Sequence, residues 1–173
     1  MTTKRTTNRK GNMYPQPPLF SEIKPNLFMG GTDDFDVIHF AQNSYAKRKD
    51  LPFEAIVTMY AWARPADWSI QEFRYGVPDA SIKEIDLNRL REAVDFGFNR
   101  WQSGDRVLVR CQAGLNRSGL VTALILIRSG ITAEDAIKMI REKRDEYALY
   151  NEEYVAFLME HGDTFFSPSQ QAA

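Results

Sequence analysis

The chain of 173 residues has one cysteine, Cys111, and an arginine, Arg117, six positions after it. Both lie in the string Arg110-Cys111-Gln112-Ala113-Gly114-Leu115-Asn116-Arg117-Ser118-Gly119. A cysteine attacks as the thiolate. The free thiol titrates near ~8.5, and a helix N-terminus or nearby cations lower that to roughly 3.5–7.5. The flanking sequence offers both. Residues 106–110 (RVLVR) read as a short apolar strand, and residues 117–128 as a largely buried helix stopped near Gly130. Cys111 therefore stands where a strand ends, and Arg117 where a helix begins. Gly114 permits unusual torsions in the loop between them. Backbone N–H groups of Gln112, Ala113, Gly114, Leu115 and Asn116 can then turn toward one point and, with the helix dipole, form an anion site. Arg117 adds a bidentate fork suited to phosphate oxygens. A thiolate in that field would attack a bound phosphate monoester, giving a cysteinyl-phosphate that water hydrolyses. Ser118 could donate a hydrogen bond to the sulfur as it leaves.

Other chemistries fit less well. Gly114 to Gly119 has the G-x-x-x-x-G spacing of a nucleotide-binding loop, but Leu120 and Val121 stand where Lys and Ser/Thr are needed. The two histidines, His39 and His161, are far apart and in no zinc-binding spacing. No metal and no cofactor is expected. A single cysteine excludes an internal disulfide and fits a reducing compartment. The competing reading of Cys111 is a buried cysteine with no role.

The elements that position the loop are legible around it. An apolar content of 43% and aromatic content of 12% describe one globular domain, and a net charge of -1 says nothing about partners. Residues 1–18, with Lys4, Arg5, Arg9 and Lys10, read as a disordered basic tail, residues 19–163 as the domain, and residues 164–173 as a second disordered tail. No signal peptide is visible, and the longest apolar run, 120–127, is far too short to span a bilayer. A soluble, cytoplasmic protein is expected. Strands are predicted over 26–29, 53–59 and 72–77, and a helix over 34–47. Leu87, Leu90, Val94, Phe98 and Trp101 share one helical face. Thr132 should cap a helix reaching about Tyr147, and Asn151 a last helix ending near Gly162. The alternation implies an α/β domain with a central sheet and a helical C-terminal region.

The string from Cys111 to Gly119 resembles the C-x5-R loop of the cysteine-dependent protein tyrosine phosphatase superfamily, and in particular its dual-specificity branch. The Ala-Gly inside it, the Ser-Gly after it, the VLV strand before it and the apolar helix behind it strengthen the likeness. Looser similarity extends over roughly residues 20–160, through IKPNLFMGG at 23–31, Ala93-Val94-Asp95-Phe96 and residues 151–158. The resemblance implies a central mixed sheet flanked by helices. It also implies an aspartate general acid some thirty residues before the cysteine. Asp79, 32 positions before Cys111 and just after Val77-Pro78, is preferred to Asp86, which helix capping explains. The family histidine before the cysteine is replaced by Arg110. Its head group could favour the thiolate, point to solvent or pair with an acid elsewhere.

The expected activity is a metal-independent phosphatase acting on phosphotyrosine, and on phosphoserine or phosphothreonine, in a phosphorylated protein partner. Tyr60, Trp62 and Trp68 could wall the pocket mouth, as suits phosphotyrosine, or form a half-buried hydrophobic cluster. The uncharged Gln112, Ala113, Leu115 and Asn116 disfavour phosphoinositide. The alternatives are a binding module that Arg110 has left unreactive and, more remotely, an enzyme similar to the RNA 5′-triphosphatase relatives, to which Asn116 and the basic tail point. Membrane and nucleic acid are not expected partners, and a monomer is expected.

Overall fold

The computed structural model describes residues 18–32 and 53–167. The helix predicted over 34–47, His39, residues 1–17 of the first expected tail and residues 168–173 of the second lie outside the described residues. Five strands form one mixed sheet in the order β1-β2-β5-β3-β4. Strands β1 (Phe20–Lys24) and β2 (Leu27–Gly30) make an antiparallel hairpin. Strands β3 (Ala55–Thr58), β4 (Gln71–Arg74) and β5 (Val107–Arg110) run parallel to one another and to β2. The two central parallel strands, β3 and β5, are buried at every residue, as strands covered on both faces must be.

The pleat sorts their side chains. Ala55, Val57, Val107, Val109 and Cys111 face the main core, together with Leu27 and Met29. Ile56 and Leu108 point the other way, to a smaller cluster with Phe53 and Ile70 that Phe20 and Phe28 extend. Among the described residues four helices supply most of the rest of the main core: α1 (Leu87–Gln102), α2 (Arg117–Arg128), α3 (Ala133–Lys143) and α4 (Glu152–His161). Helix α2 is buried from Arg117 through Ile127, so it lies at the centre of the helical layer. Among the described residues no helix is long and apolar enough to cross a membrane.

Side-chain caps sit where the sequence predicts them. Asp86 accepts from the N–H groups of Asn88 and Arg89, Thr132 from that of Asp135, and Asn151 from those of Glu153 and Tyr154.

Three expectations need correction. Helix α3 ends at Lys143 rather than near Tyr147, because Arg144 turns its guanidinium into the protein and Asp145 starts a turn, accepting from the N–H groups of Tyr147 and Ala148. The strand expected over 72–77 ends at Arg74, and the chain then passes close over Ala61 at Gly76, where an added Cβ would lie 2.6 Å from the Ala61 Cα. The domain also extends past residue 163. Phe165 is buried, packs edge-on against Phe157, and its carbonyl accepts two hydrogen bonds from Arg91.

Candidate active site

The parallel strands all end on one side of the sheet, and the loops that leave them meet there. β5 delivers Cys111, β3 leads to Tyr60, β4 to Val77 and Asp79, and β2 to Gly31. Cys111 is 2% exposed, and its N–H donates to the Gly30 carbonyl at 3.2 Å, which continues the β2–β5 ladder by one bond. Its Sγ lies 3.3 Å from Ser118 Oγ.

The loop between them is held tightly. The Thr32 N–H donates to the Gln112 carbonyl at 3.0 Å. Gly114 has φ +71, and a Cβ there would stand 2.3 Å from the Gly30 carbonyl carbon. Glycine is therefore needed both for its torsion and for the closeness of β2. Arg144 Nε donates to the Gly114 carbonyl at 3.0 Å, while its Nη1 reaches the Pro18 carbonyl and Ser21 Oγ. Burial lowers the Arg144 pKa, and the charges of Cys111 and Asp145 oppose that shift. A second guanidinium, not singled out in the sequence, thus supports the loop from beneath.

Helix α2 begins without a side-chain cap. Asn116, at its cap position, instead donates from Nδ2 to Asp79 at 3.1 Å and accepts at Oδ1 from the Asn151 N–H at 3.1 Å. Among the described residues no side chain caps the first-turn N–H groups of α2, which suits an anion. Arg117 is 7% exposed. Its Nη1 donates to the Val77 carbonyl at 3.0 Å, and its guanidinium carbon sits 5.3 Å from the Tyr60 ring centre. Its Nε is buried without a partner among the described residues. A buried donor of this kind is unfavourable unless something accepts from it, and a phosphate oxygen would.

Asp79 is exposed on a loop that α4 pins from behind. Tyr154 donates to the Pro78 carbonyl at 3.2 Å, Asn151 to the Ala80 carbonyl at 2.9 Å, and Glu153 accepts from Ser81 Oγ at 2.6 Å. Burial above all, and then the charge of Asp79, pushes the Tyr154 hydroxyl up to about 12. Asp86 lies at the α1 N-terminus with its Oδ1 committed to the cap.

Arg110 turns away from this site. Its side chain is fully buried and donates to Thr58 Oγ1 at 2.8 Å, to the Arg64 carbonyl at 2.6 Å and to Glu72 at 3.0 Å. Of the three courses open to it from sequence, it takes the pairing with an acid. Trp62 and Trp68 are 84% and 81% exposed, so they form no half-buried cluster; of the three aromatic candidates, Tyr60 is the one that touches Arg117. Among the described residues no group of three or more His, Cys, Asp or Glu could hold a metal ion.

The surroundings missed in the sequence are Arg144, Asn151 and Tyr154. Asn151 carried a signal as a helix cap, but its bonds to Ala80 and Asn116 reach across 71 and 35 residues. No local pattern announces such partners.

Residues 40–164 match the family described as dual specificity phosphatase, catalytic domain. A segment of 41 residues is 54% identical to human protein tyrosine phosphatase type IVA 3, covering 24% of this chain and 24% of that protein. The chain thus spans about a quarter of the length of the curated relatives it matches first. Among solved structures, human DUSP28 superposes with a TM-score of 0.68 at 22% identity, covering 91% of this chain and 99% of that one. DUSP15 superposes at 0.64 and 20% identity, covering 88% and 90%.

Proposed function

This chain belongs to the dual specificity phosphatase catalytic-domain family, and we propose that it is a metal-independent phosphatase that hydrolyses phosphate monoesters on proteins through a cysteinyl-phosphate. Phosphotyrosine is the first substrate class, with phosphoserine and phosphothreonine beside it. The observation that carries the reading is the pairing of the Cys111 sulfur with Ser118 Oγ at 3.3 Å, beside a buried Arg117 whose Nε has no partner among the described residues.

The phosphate oxygens accept from the loop N–H groups and from Arg117. The Cys111 thiolate attacks phosphorus, the bond to the ester oxygen breaks, and protonated Asp79 gives that oxygen its proton. Water then attacks the cysteinyl-phosphate, its proton passes to the Asp79 carboxylate, and the sulfur leaves as thiolate with a hydrogen bond from Ser118. Asn116 ties the acid to the phosphate loop directly, so the two groups that act on opposite sides of the breaking bond share one rigid connection. Arg110 does not argue for an unreactive binding module, because its head group is engaged with Thr58 and Glu72.

The test is hydrolysis of para-nitrophenyl phosphate with EDTA present, by the native chain, Cys111→Ser and Asp79→Ala. Turnover abolished by the first substitution and strongly reduced by the second is the expected result. A folded native chain without turnover between roughly pH 5 and 8 would overturn the proposal.

A further inference from the structure

Arg110 has no part in the mechanism above, yet it is the largest of the fully buried side chains. We infer that Arg110 is a positioning residue: with Glu72 and Arg74 it fixes the turn at residues 60–66 and so holds Tyr60 against Arg117, giving the site a preference for aryl over alkyl phosphates. The inference rests on the phosphate site proposed above.

Arg110 grips this turn from both its backbone and its side chain. Its carbonyl accepts from the Met59 N–H at 2.8 Å, one residue before Tyr60, and its Nη2 donates to the Arg64 carbonyl at 2.6 Å, four residues after it. The same guanidinium donates from Nε to Thr58 Oγ1 at 2.8 Å, and Thr58 Oγ1 in turn donates to Glu72 Oε1 at 2.5 Å. Glu72 accepts further bonds from Arg110 at 3.0 Å, from Arg74 at 2.9 Å and, at its other oxygen, from the Ala66 N–H at 2.9 Å. Arg74 closes the set by donating to the Ala63 carbonyl at 2.7 Å. The carbonyls of residues 63 and 64 and the N–H of residue 66 are thereby held by charged partners.

Burial pushes the Glu72 carboxyl up, but the bonds from Thr58, Ala66 and Arg110 and the charge of Arg74 outweigh it and leave it below its ordinary value. Glu72 is thus an anion between two arginines. A planar fork suits the separate acceptors that Arg110 serves, and a lysine ammonium or a histidine ring would not reach them all. The pleat explains why this network acts on the turn rather than the thiol. Thr58 and Arg110 are opposed in register, and Arg110 alternates with Val109 and Cys111, which face the helical core. Inside the bracket, the half-buried Tyr60 packs against the guanidinium that the substrate phosphate would meet. A phosphotyrosine ring leaving that phosphate would lie against it, whereas a serine side chain is too short to do so.

The experiment uses the full chain carrying Cys111→Ser, with N- and C-capped phosphotyrosine and phosphoserine as probes, measured by calorimetry. Tighter binding of phosphotyrosine is expected. Adding Tyr60→Leu, and separately Arg110→Lys, should each weaken phosphotyrosine by roughly 3- to 10-fold while phosphoserine moves by less than about twofold. In the chain with Cys111 intact, Arg110→Lys should leave the pH dependence of iodoacetate alkylation unchanged. A merely structural role would weaken both probes alike, and a role on the thiolate would move that pH dependence; either overturns the inference. Should Arg110→Lys not fold, Glu72→Gln and Tyr60→Leu carry the same comparison, and an unchanged ratio of the two affinities in Tyr60→Leu overturns it. Aryl preference without turnover in the native chain would defeat the phosphatase reading and sustain this one. Binding of neither probe would defeat both.

Discussion

Replacing Gly114 by alanine should damage the protein far more than the same change at Gly104 or Gly130, and the structure sets the size of the difference. All three glycines have positive φ: +71 at Gly114, +90 at Gly104 and +97 at Gly130. An alanine forced into that region costs about 1–2 kcal/mol, offset by roughly 0.4–1 kcal/mol from the lost freedom of the unfolded chain. At Gly104 and Gly130 nothing lies within 4 Å of the added Cβ, so that difference, about 1 kcal/mol, is the whole effect. At Gly114 the Cβ would stand 2.3 Å from the Gly30 carbonyl carbon and 2.4 Å from the Gly31 nitrogen. These backbone atoms cannot retreat cheaply, because the Gly31 N–H is bonded to the Leu19 carbonyl and the Gly30 carbonyl accepts from Cys111. Overpacking of this kind adds about 1–3 kcal/mol. With a domain of this size losing roughly 2–4 °C of Tm per kcal/mol, Gly104→Ala and Gly130→Ala should fall by a few degrees. Gly114→Ala should fall by about twice that or more and, on the proposed phosphate site, lose orthovanadate binding, because the displaced loop backbone moves away from Arg117. Differential scanning fluorimetry with and without vanadate reads both quantities. A Gly114→Ala protein that melts with Gly104→Ala and still binds vanadate would refute the claim that β2 and the phosphate loop share a fixed contact.

The two candidate acids separate by what they lose. Asp79→Asn should lower kcat toward para-nitrophenyl phosphate by about 100-fold or more and remove the basic limb of its pH profile. Asp86→Ala should cost about 1 kcal/mol of stability in urea and keep its kcat; the reverse pattern would exchange their roles. The Tyr154 hydroxyl, raised from 10.0 to about 12, stabilises the fold in its neutral form, fully so below the unfolded value and progressively less as the pH rises through the folded one. Tyr154 should therefore form phenolate late in an absorbance titration, and Tyr154→Phe should abolish that late step; a titration curve unchanged by Tyr154→Phe above about pH 11 would refute it. Peroxide should oxidise the Cys111 thiolate to the sulfenic acid, itself reduced to water, and dithiothreitol should restore activity. With no second cysteine in the chain to trap it as a disulfide, irreversible loss at low peroxide would count against a shielded sulfenic acid or sulfenamide.

What could be read in advance was whatever depends on neighbours in the chain. The strand before Cys111, the helix from Arg117 and the caps at Asp86, Thr132 and Asn151 are local consequences of apolar runs and short polar side chains, and they stand where expected. No strand is predicted at β1, because only Ile23 of its five residues is buried and the alternation that marks a half-buried strand is broken. The end of α3 was misjudged because Arg144 reads as one more charged residue of a solvated helix, whereas it is 6% exposed and bonded to Gly114 and Pro18.

Arg110 shows where legibility stops. Strand periodicity alone puts it on the face opposite Val109 and Cys111, so its distance from the thiol was open to inference. Its partners were not. They come from β3, from β4 and from the turn between those strands, and only the sheet order β5-β3-β4 brings the three together. A guanidinium buried there without acceptors would be strongly destabilising. The arginine at 110 is therefore intelligible only alongside Thr58, Glu72 and the carbonyl of residue 64. Histidine at 110 would leave the Glu72 carboxylate without the Arg110 guanidinium and the 60–66 turn without one of its ties. The replacement at 110 is thus one half of a paired arrangement whose other half lies some forty to fifty residues earlier, at Thr58 and Glu72. Arg110→His and Glu72→Gln should cost less together than the sum of their separate losses, because each removes the same Arg110–Glu72 bond; strict additivity in a double-mutant cycle would refute the pairing.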